Sequence, residues 1–402
     1  MINKINSRLK IFVSPSIRFE IKQKKGRIVH FLAGLCFWKW KSFKFPLSET
    51  NLTIVHYLGR PKNKPALMAL LGINPNTSSA FVNTNATSEK AFVSEFPMLN
   101  ALCLPFCLNT IVKLGRSTDD ITATYSRSLR RSINGQRAEY GYKAVNDSVK
   151  IDSIERRMLW TYANTQHDVS AAHLHPEVVK SMAQSNWGRL DLLYQGEEEV
   201  GCHLGNSYIC KSERYWHVNR LGYPDAVLSD YKRWGEVNSI NLHLALESAI
   251  ENGYDYCDYG VSLARPGAGL IEWKRRRKGF LATNGNFNYF YLKLPVTGAA
   301  QFLWDAPLFA VERGKVTLHL GIPEGKTDEE IAARYHEMGY GGLYKVYLQC
   351  IKQPSEHLIE TIRGLYVDQE SQPMVITRLE NSLALNTLQK DSDENMLIKS
   401  ST

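Results

Sequence analysis

Residues 254–280 read YDYCDYGVSLARPGAGLIEWKRRRKGF. The first part of this segment has the pattern of a β-strand, a proline- and glycine-rich turn follows, and five consecutive cations, Lys274 to Lys278, come directly afterwards. Successive residues of a helix are rotated by about 100°, so five cations in a row go all the way round a helical segment. They cannot all face solvent from one side, and we expect at least one of them to point inward at something anionic.

The segments on either side of this stretch predict a mixed α/β order. A helix at residues 238–253 precedes the strand, because its apolar residues recur at helical spacing, Asn238 or Ser239 can cap it and Gly253 can end it. Alternating polarity predicts the other strands, which lie at 189–209 (two strands joined by a glycine-containing turn), 213–223 and 287–294. The order is thus hairpin, strand, helix, strand, short helix, strand.

The rest of the chain divides into further units by composition and pattern. Helices are predicted within residues 117–142, with Ser117 or Thr118 as the cap, and at 153–165. In the C-terminal part, Thr327 and Glu330 predict a capping box at the start of a helix. The predicted units are a basic N-terminal arm at 1–45, an N-terminal α/β half at 46–125, the main domain at 126–300, a C-terminal α/β extension at 301–367 and a disordered tail at 368–402.

The positive charge of the chain is concentrated in its first segment. Residues 1–45 hold eleven Lys or Arg against one acid, Glu20, so the remainder of a chain with net charge +9 is close to neutral. Basic residues interleaved with aromatic ones can bind RNA phosphates, an anionic membrane surface or an acidic partner. They can equally form a solvated first layer of the fold whose aromatic side chains belong to the core.

The composition is that of a soluble globular protein, with 44% hydrophobic and 22% charged residues. We find no apolar run of the roughly 20 residues that span a bilayer and no pattern of a secretory signal. The seven cysteines are scattered without a CxxC pair, as expected for free thiols in a reducing cytoplasm. The histidines of HLHP, residues 173–176, have no carboxylate or cysteine at ligand spacing, so no metal site is predicted.

Two features carry a resemblance to a known family. They are ALESAIENGYDYCDYGVS, residues 245–262, in which a helix, a glycine and a DxxDxG-like strand follow one another, and the lysine-rich segment that closes in Gly279 and Phe280. With the element order, they resemble the GNAT (N-acetyltransferase) fold over roughly residues 125–295. The details are most similar to its FemAB-type branch, which builds peptidoglycan cross-bridges, and to related acetyltransferase-like domains of bacterial biosynthetic clusters. The resemblance implies an α/β (α+β) fold with a mixed, splayed sheet flanked by helices, and a degenerate GNAT-like half before it.

Two departures from the family pattern leave the acyl donor open. Acetyl-CoA enzymes of this fold usually hold the pyrophosphate with an (R/Q)xxGx(G/A) loop at the start of a helix. The nearest match here is KRWGEV, residues 232–237, which keeps only Lys232 and Gly235 as donor contacts. The FemAB-like pattern places a lysine about four residues before a glycine, and counting back from Gly279 gives Arg275, so Lys274 matches with an offset of one.

The residue types supply three catalytic candidates. Acyl transfer to an amine requires deprotonation of the amine and stabilisation of an oxyanion. We expect Lys274 to be the cation that enters the cleft, with Arg275 as its substitute. His217 is the best candidate for a general base by its chemistry, and a structural histidine is the alternative interpretation. Asp258, late in the fourth strand, can bind the acceptor amine or act as base, or it can pair with a neighbouring arginine.

The remaining candidate contacts belong to the donor or substrate. Trp273 is expected to face inward with Arg277 one turn beyond it, while Lys274 and Lys278 share another face. Arg265, in the turn RPGAG, and Tyr259, next to Asp258, complete the candidate set of substrate and donor contacts.

The function implied is a cytoplasmic N-acyltransferase with no tightly bound cofactor. It would move an acyl or aminoacyl group from acyl-CoA, such as acetyl-CoA, or from aminoacyl-tRNA onto an amine-bearing small molecule or peptide. The alternative is a non-catalytic module that binds RNA or an anionic surface through residues 1–45. In either case the arm can contact an anionic surface, and no transmembrane segment is expected.

Overall fold

The computed structural model describes residues 102–167, 174–283, 299–352 and 354–364, residue 90, and separate strands at 41–47, 50–56, 79–83, 289–293, 374–378 and 397–398. The basic arm lies outside the described residues up to residue 40, so its role stays a prediction. Within the described residues, none of the helices combines the length and the hydropathy that a membrane span requires.

The chain alternates between strands and helices. In chain order the strands are β1 (Lys41–Leu47), β2 (Thr50–His56), β3 (Ser79–Asn83), β4 (Leu102–Pro105), β5 (Cys107–Lys113), β6 (Tyr140–Ala144), β7 (Gly188–Gln195), β8 (Glu198–Cys210), β9 (Glu213–Gly222), β10 (Tyr256–Leu263), β11 (Phe280–Thr283), β12 (Tyr289–Lys293), β13 (Leu308–Glu312), β14 (Lys315–Ile322), β15 (Lys345–Cys350), β16 (Met374–Arg378) and β17 (Leu397–Ile398). The helices are α1 (Thr118–Thr122), α2 (Arg127–Gln136), α3 (Ser148–Ile154), α4 (Thr161–His167), α5 (Pro176–Ala183), α6 (Asp225–Leu228), α7 (Tyr231–Glu251), α8 (Gly269–Arg275), α9 (Ala299–Asp305), α10 (Asp328–Glu337) and α11 (Glu356–Gly364).

The central sheet contains the predicted hairpin and the strands that follow it. Its described strands are ordered β11-β5-β10-β9-β8-β7-β6. Neighbours pair antiparallel except β9 and β10, which are parallel and are joined by the crossover helix α7. The alternation along β9 is as predicted, since Trp216 and Val218 are buried in the core with α7 while Tyr215 and His217 are on the other face and partly exposed. The sheet is therefore mixed and flanked by helices, which confirms the predicted fold class.

Helix α7 begins seven residues before its predicted start. The predicted caps Asn238 and Ser239 lie inside the helix, whose cap is Asp230. The first two turns, from Tyr231, are mostly polar or exposed and lack the apolar spacing that marks the rest of the helix, so periodicity alone missed them. The predicted end is correct, because Gly253 has φ +69°, the left-handed conformation that ends helices.

The described strands before residue 125 belong to two different sheets. Strands β4 and β5 are separated only by Phe106, yet β4 joins a sheet of order β1-β2-β3-β12-β4 while β5 lies inside the central sheet. The predicted fifth strand, 287–294, corresponds to β12 and belongs to that N-terminal sheet, and β11 takes the edge position in the central sheet. Local sequence patterns cannot predict which sheet a strand joins, because strand pairing depends on partners that are distant in the sequence.

The predicted C-terminal extension forms a third sheet of order β13-β14-β15-β16-β17. The capping box is present as predicted, with Glu330 N–H donating to Thr327 Oγ1 and Thr327 N–H to the Glu330 carboxylate. Strand β16 pairs parallel to β15, and β17 pairs with β16, so the stretch predicted to be a disordered tail contains these two strands. Upstream, the predicted helix 153–165 is longer, since α3, a π-helical turn (Glu155–Trp160) and α4 follow without a break.

Candidate functional site

The candidate site lies where β9 and β10 stop pairing. Their parallel pairing covers only Tyr256–Asp258 against Tyr215–His217. Immediately afterwards the register between β10 and β5 shifts, because a bulge lies between Asp258 and Val261, and Gly260 within it has φ +73°. The two parallel strands therefore separate toward their carboxyl ends, which is the splay that the resemblance implied.

Asp258 is at the point of separation and has four neighbours that stabilise its charge. Its side chain is buried, Oδ1 accepts a hydrogen bond of 2.8 Å from the Gly260 N–H, and Oδ2 accepts one of 3.0 Å from the Tyr208 hydroxyl. Asn109 Nδ2 donates to Oδ2 at 3.4 Å, and His217 Nδ1 is 3.1 Å from the same oxygen. Burial opposes ionisation, but the contacts with His217, Gly260 and Tyr208 lower the pKa of Asp258 overall. Asp258 thus pairs with a histidine and not with an arginine.

Lys274 is the innermost cation of the run of five. Its side chain is 3% exposed, and Nζ donates to the carbonyl oxygens of Gly260 at 2.8 Å and Val261 at 3.0 Å. Burial lowers the pKa of Lys274 to about 7, against the opposing effects of Asp258 and Cys107. The ammonium group therefore contacts the bulge itself and changes charge near neutral pH.

Lys274 and Asp258 approach the bulge from opposite faces of the sheet. Cys257 and Tyr259, on either side of Asp258, are buried in the core that includes α7, so strand alternation directs Asp258 to the opposite face. Helix α8, which carries Lys274, is on the α7 side, because its Trp273 packs against that same core. The carboxylate–imidazole pair and the lysine therefore meet across one point of the sheet.

Arg277 is a second buried cation and is 5% exposed. Its Nη2 donates to Ser239 Oγ of α7 at 2.8 Å. Its guanidinium lies 3.9 Å from the centre of the Trp273 ring, and these two residues were predicted to lie one turn apart. Burial lowers the pKa of Arg277, and nearby Tyr259 opposes this effect. Burial raises the pKa of Tyr259 well above its usual value, so both side chains lie in one poorly solvated region on the α7 side.

The other cations of the segment lie elsewhere. Arg275 forms an ion pair of 2.6 Å with Glu272 and lies over the Tyr340 ring, so it shares no contact with Lys274. The prediction that Lys274 and Lys278 share a face is wrong. Helix α8 ends at Arg275, and Lys278 is exposed with φ +58°, outside the helical conformation. Arg265, in the turn before α8, is exposed.

The predicted donor contacts Lys232 and Gly235 lie in the first two turns of α7. The Asp230 carboxylate already accepts hydrogen bonds from the backbone N–H groups of Lys232, at 3.0 Å, and of Arg233, at 3.1 Å. In the family pattern, such N–H groups at a helix start bind the pyrophosphate of CoA. Here a negative charge occupies that position, which disfavours a phosphate in the same place.

The strand order, the α7 crossover between parallel neighbours and the splay at Asp258 are those of a GNAT-like fold. No protein-family model matches the chain, and no curated protein matches it in sequence. Solved structures with similarity to this chain include FemX, at 9% identity and a TM-score of 0.37, with 66% of this chain and 86% of that one covered.

Two further solved structures show comparable similarity. For L-PGS from Bacillus licheniformis the identity is 12% and the TM-score 0.34, covering 63% of this chain and 80% of that one. For a GCN5-related N-acetyltransferase from Sphaerobacter thermophilus the identity is 12% and the TM-score 0.28, covering 63% and 74%. The function of the chain therefore has to be argued from its own site.

The sequence did not identify the partners that hold Asp258. Asn109 is on β5, which is next to β10 in the sheet, and Tyr208 is on β8, which β9 separates from β10, so both reach Asp258 only through the pairing of the strands. Of the histidines considered for a metal, His175 caps α5 by accepting the Glu177 N–H, and no cluster of metal ligands occurs in the part of the chain that is described. The other histidine of HLHP, His173, lies outside the described residues.

Proposed function

We propose that the chain is an N-acyltransferase that moves an acyl or aminoacyl group from acyl-CoA or aminoacyl-tRNA onto an amine. The observation that carries this proposal is the meeting of a buried lysine with a carboxylate–imidazole pair at the bulge where β9 and β10 separate. A separation between two strands gives an acyl group a passage from one face of the sheet to the other. Groups for both halves of acyl transfer then lie on the two sides of that passage.

On the His217 side, the acceptor amine loses its proton. Its nitrogen attacks the acyl carbonyl carbon, the C–N bond forms, and His217 takes the proton from the nitrogen. Asp258, held ionised by its neighbours, orients His217 and stabilises the imidazolium. The C–S bond to CoA or the C–O bond to the tRNA ribose then breaks, and His217 returns the proton to the leaving sulfur or oxygen.

On the α7 side, Lys274 stabilises the negative charge of the tetrahedral intermediate. When protonated, its ammonium group has three N–H bonds, of which two donate to the carbonyls of Gly260 and Val261. The third is free for the oxyanion, and the bonds to the bulge hold it in a fixed direction. Fixed donors in a poorly solvated site are the arrangement that stabilises such an intermediate most strongly.

The donor-side contacts favour aminoacyl-tRNA over CoA. Asp230 occupies the helix N–H groups that a CoA pyrophosphate would need. Arg277 instead offers a buried guanidinium for an anionic part of the donor, and none of the described carboxylates is within ion-pair distance of it. Its hydrogen bonds to Ser239 and to the Trp273 carbonyl leave further N–H donors unused.

A thermal-shift comparison of donors tests the function. We expect aminoacyl-tRNA to raise the melting temperature of the full chain, whereas acetyl-CoA and longer acyl-CoAs have little effect. A ligand at a hundredfold excess over its Kd stabilises the fold by about 2.7 kcal/mol. Substituting Asp230 with asparagine should improve acyl-CoA binding if the carboxylate is what excludes it. No shift with either donor class would argue against the transferase function.

A glycine substitution tests the bulge. In Gly260→Ala the alanine backbone must keep a φ of +73°, and its Cβ would lie 3.5 Å from His217 Cε1. We expect the strain to lower the free energy of unfolding by about 1–2 kcal/mol and the shifted bulge to reduce kcat/KM by roughly tenfold through misplacement of reacting groups. Chemical denaturation and steady-state kinetics measure the two effects.

The matched control is Gly267→Ala. Gly267 has φ +75° and open space around the position of a Cβ, so the same backbone strain arises outside the site. Its loss of stability should match that of Gly260→Ala while its kcat/KM stays at the wild-type value. Equal losses of activity in both variants would show that the bulge has no special role.

A further inference from the structure

Three tyrosines form a stacked row on the face of the sheet that carries His217 and Asp258. Tyr208, Tyr215 and Tyr256 are directly opposite one another on β8, β9 and β10. The ring centres of Tyr208 and Tyr215 are 4.9 Å apart with planes at 8°, and those of Tyr215 and Tyr256 are 4.8 Å apart with planes at 13°. We call this row the tyrosine ladder. In β9 and β10 it lies two residues before His217 and Asp258, so strand alternation places it on their face.

Every hydroxyl of the tyrosine ladder donates to a carboxylate. Tyr208 donates to Asp258 Oδ2 at 3.0 Å, while Tyr215 and Tyr256 donate to the two oxygens of Glu213, each at 3.3 Å. Burial, and then the adjacent carboxylates, raise the pKa of all three hydroxyls, which keeps them protonated. A tyrosine hydroxyl has one hydrogen to donate. The edge of the ladder therefore offers a ligand only hydrogen-bond acceptors.

The ladder is open to solvent. Tyr208 is 36% exposed, and Tyr215, Tyr256 and Glu213 are partly exposed. Strand β7 starts at Gly188, opposite Asn206, and so provides no strand neighbour for Tyr208. On the other side, the exposed Lys113 of β5 is opposite Tyr256 and bounds the surface. An aromatic surface with the partly exposed Glu213 carboxylate at one end is thus accessible, and the buried Asp258 carboxylate lies at its other end.

We infer that the tyrosine ladder with Glu213 binds the acceptor, and that the acceptor is an alkyl diamine or a molecule with two such amino groups. This inference rests on the proposed function. One amino group would lie at His217 and Asp258 as the nucleophile, and the second, as an ammonium, at Glu213. Ammonium groups carry only donors and a positive charge, which matches the acceptor-only edge and its carboxylates. The tyrosine rings between the two ends suit the alkyl chain of such a molecule.

The test is equilibrium binding of 1,5-diaminopentane and of 1-aminopentane to the full chain, measured by calorimetry. The wild type should bind the diamine at least tenfold more tightly than the monoamine. Glu213→Gln keeps the size of the side chain and removes its charge, and it should remove this preference without weakening monoamine binding. Glu251→Gln, which changes an exposed carboxylate at the end of α7, is the matched control and should keep the preference. Equal affinity for the two amines in the wild type, or an unchanged preference in Glu213→Gln, would overturn the inference.

An acylation assay with both amines separates this inference from the proposed function. If the diamine binds through Glu213 but no donor acylates any amine, the binding site stands and the transferase function fails. If amines are acylated but Glu213→Gln leaves kcat/KM for the diamine unchanged, the transferase function stands and the inference fails. The supporting outcome is a loss of tenfold or more in kcat/KM for the diamine alone.

Discussion

Replacing Lys274 with methionine is expected to lower kcat/KM by ~10²–10³-fold, the usual effect of removing one donor to an oxyanion. Methionine fills a similar volume, so the change removes the ammonium group and its bonds to the Gly260 and Val261 carbonyls. Steady-state acyl-transfer kinetics measure the loss. The matched control is Arg276→Ala, which removes an exposed cation two residues away and should retain wild-type kinetics. A Lys274→Met enzyme with more than a third of wild-type kcat/KM would exclude the assigned role.

The pH dependence gives the same substitution a second readout. If protonated Lys274 stabilises the oxyanion, kcat/KM of the wild type should fall as the pH rises above about 7, the pKa of Lys274 in the free protein. The residual activity of Lys274→Met should lack this alkaline decline. Identical pH profiles for the two proteins would mean that another group titrates.

The free energy of unfolding should rise with pH, whereas kcat/KM should fall. The pKa of Lys274 is lowered from 10.5 to about 7, so between these values the unfolded chain binds a proton that the folded chain does not. The free energy of unfolding therefore rises with pH across this window, and below about pH 7 the cost of the buried charge is fully present. From pH 7 to 9 the contribution of Lys274 amounts to about 2–3 kcal/mol. Urea unfolding at both pH values should show this increment in the wild type and not in Lys274→Met.

Replacing Asp258 with asparagine is expected to lower kcat by ~10²–10⁴-fold, the range associated with losing general acid–base catalysis. The substitution removes the negative charge 3.1 Å from His217 Nδ1. An amide also has an NH₂ group, and one of its two ends must face a hydrogen-bond donor, either the Gly260 N–H or the Tyr208 hydroxyl. The imidazole therefore loses its charged partner, and either the Gly260 N–H or the Tyr208 hydroxyl loses its acceptor.

Asp255→Asn is the matched control for this substitution. Asp255 accepts a hydrogen bond from the Arg214 N–H, which an amide oxygen can also accept, so activity should stay at the wild-type level. Stopped-flow or steady-state kinetics at saturating donor would measure kcat in both variants. Wild-type turnover in Asp258→Asn would show that His217 works without a carboxylate, or that it is not the base.

The sequence predicted the elements of the site better than their contacts. The helix end at Gly253, the following strand and an inward-pointing cation all follow from turn chemistry and periodicity, and all three are present. The predicted start of α7 was wrong because the first turn after the Asp230 cap is polar and has no apolar periodicity. The prediction that Lys274 and Lys278 share a face was wrong because α8 ends at Arg275, before it reaches Lys278.

The tyrosine ladder shows why contacts across the sheet could not be predicted. Tyr208 and Tyr215 are opposite each other in the β8–β9 hairpin, but Tyr256 comes 41 residues after Tyr215, and nothing in the local sequence marks the three as a group. They stack because β8, β9 and β10 are neighbours in one register. A shift of that register by one residue would turn Tyr215 and His217 to the other face.

Local sequence patterns were sufficient to predict the strand and helix order, the mixed fold class and the burial of at least one of five consecutive cations. These features depend on φ preferences, caps and periodicity, which act within a few residues. Long-range packing was needed to show that Lys274 and Arg277 are the buried cations, that Asp258 pairs with His217 and that Asp230 occupies the start of α7. These outcomes depend on which strands pair and where they separate, and burial in that arrangement sets the charge of each group.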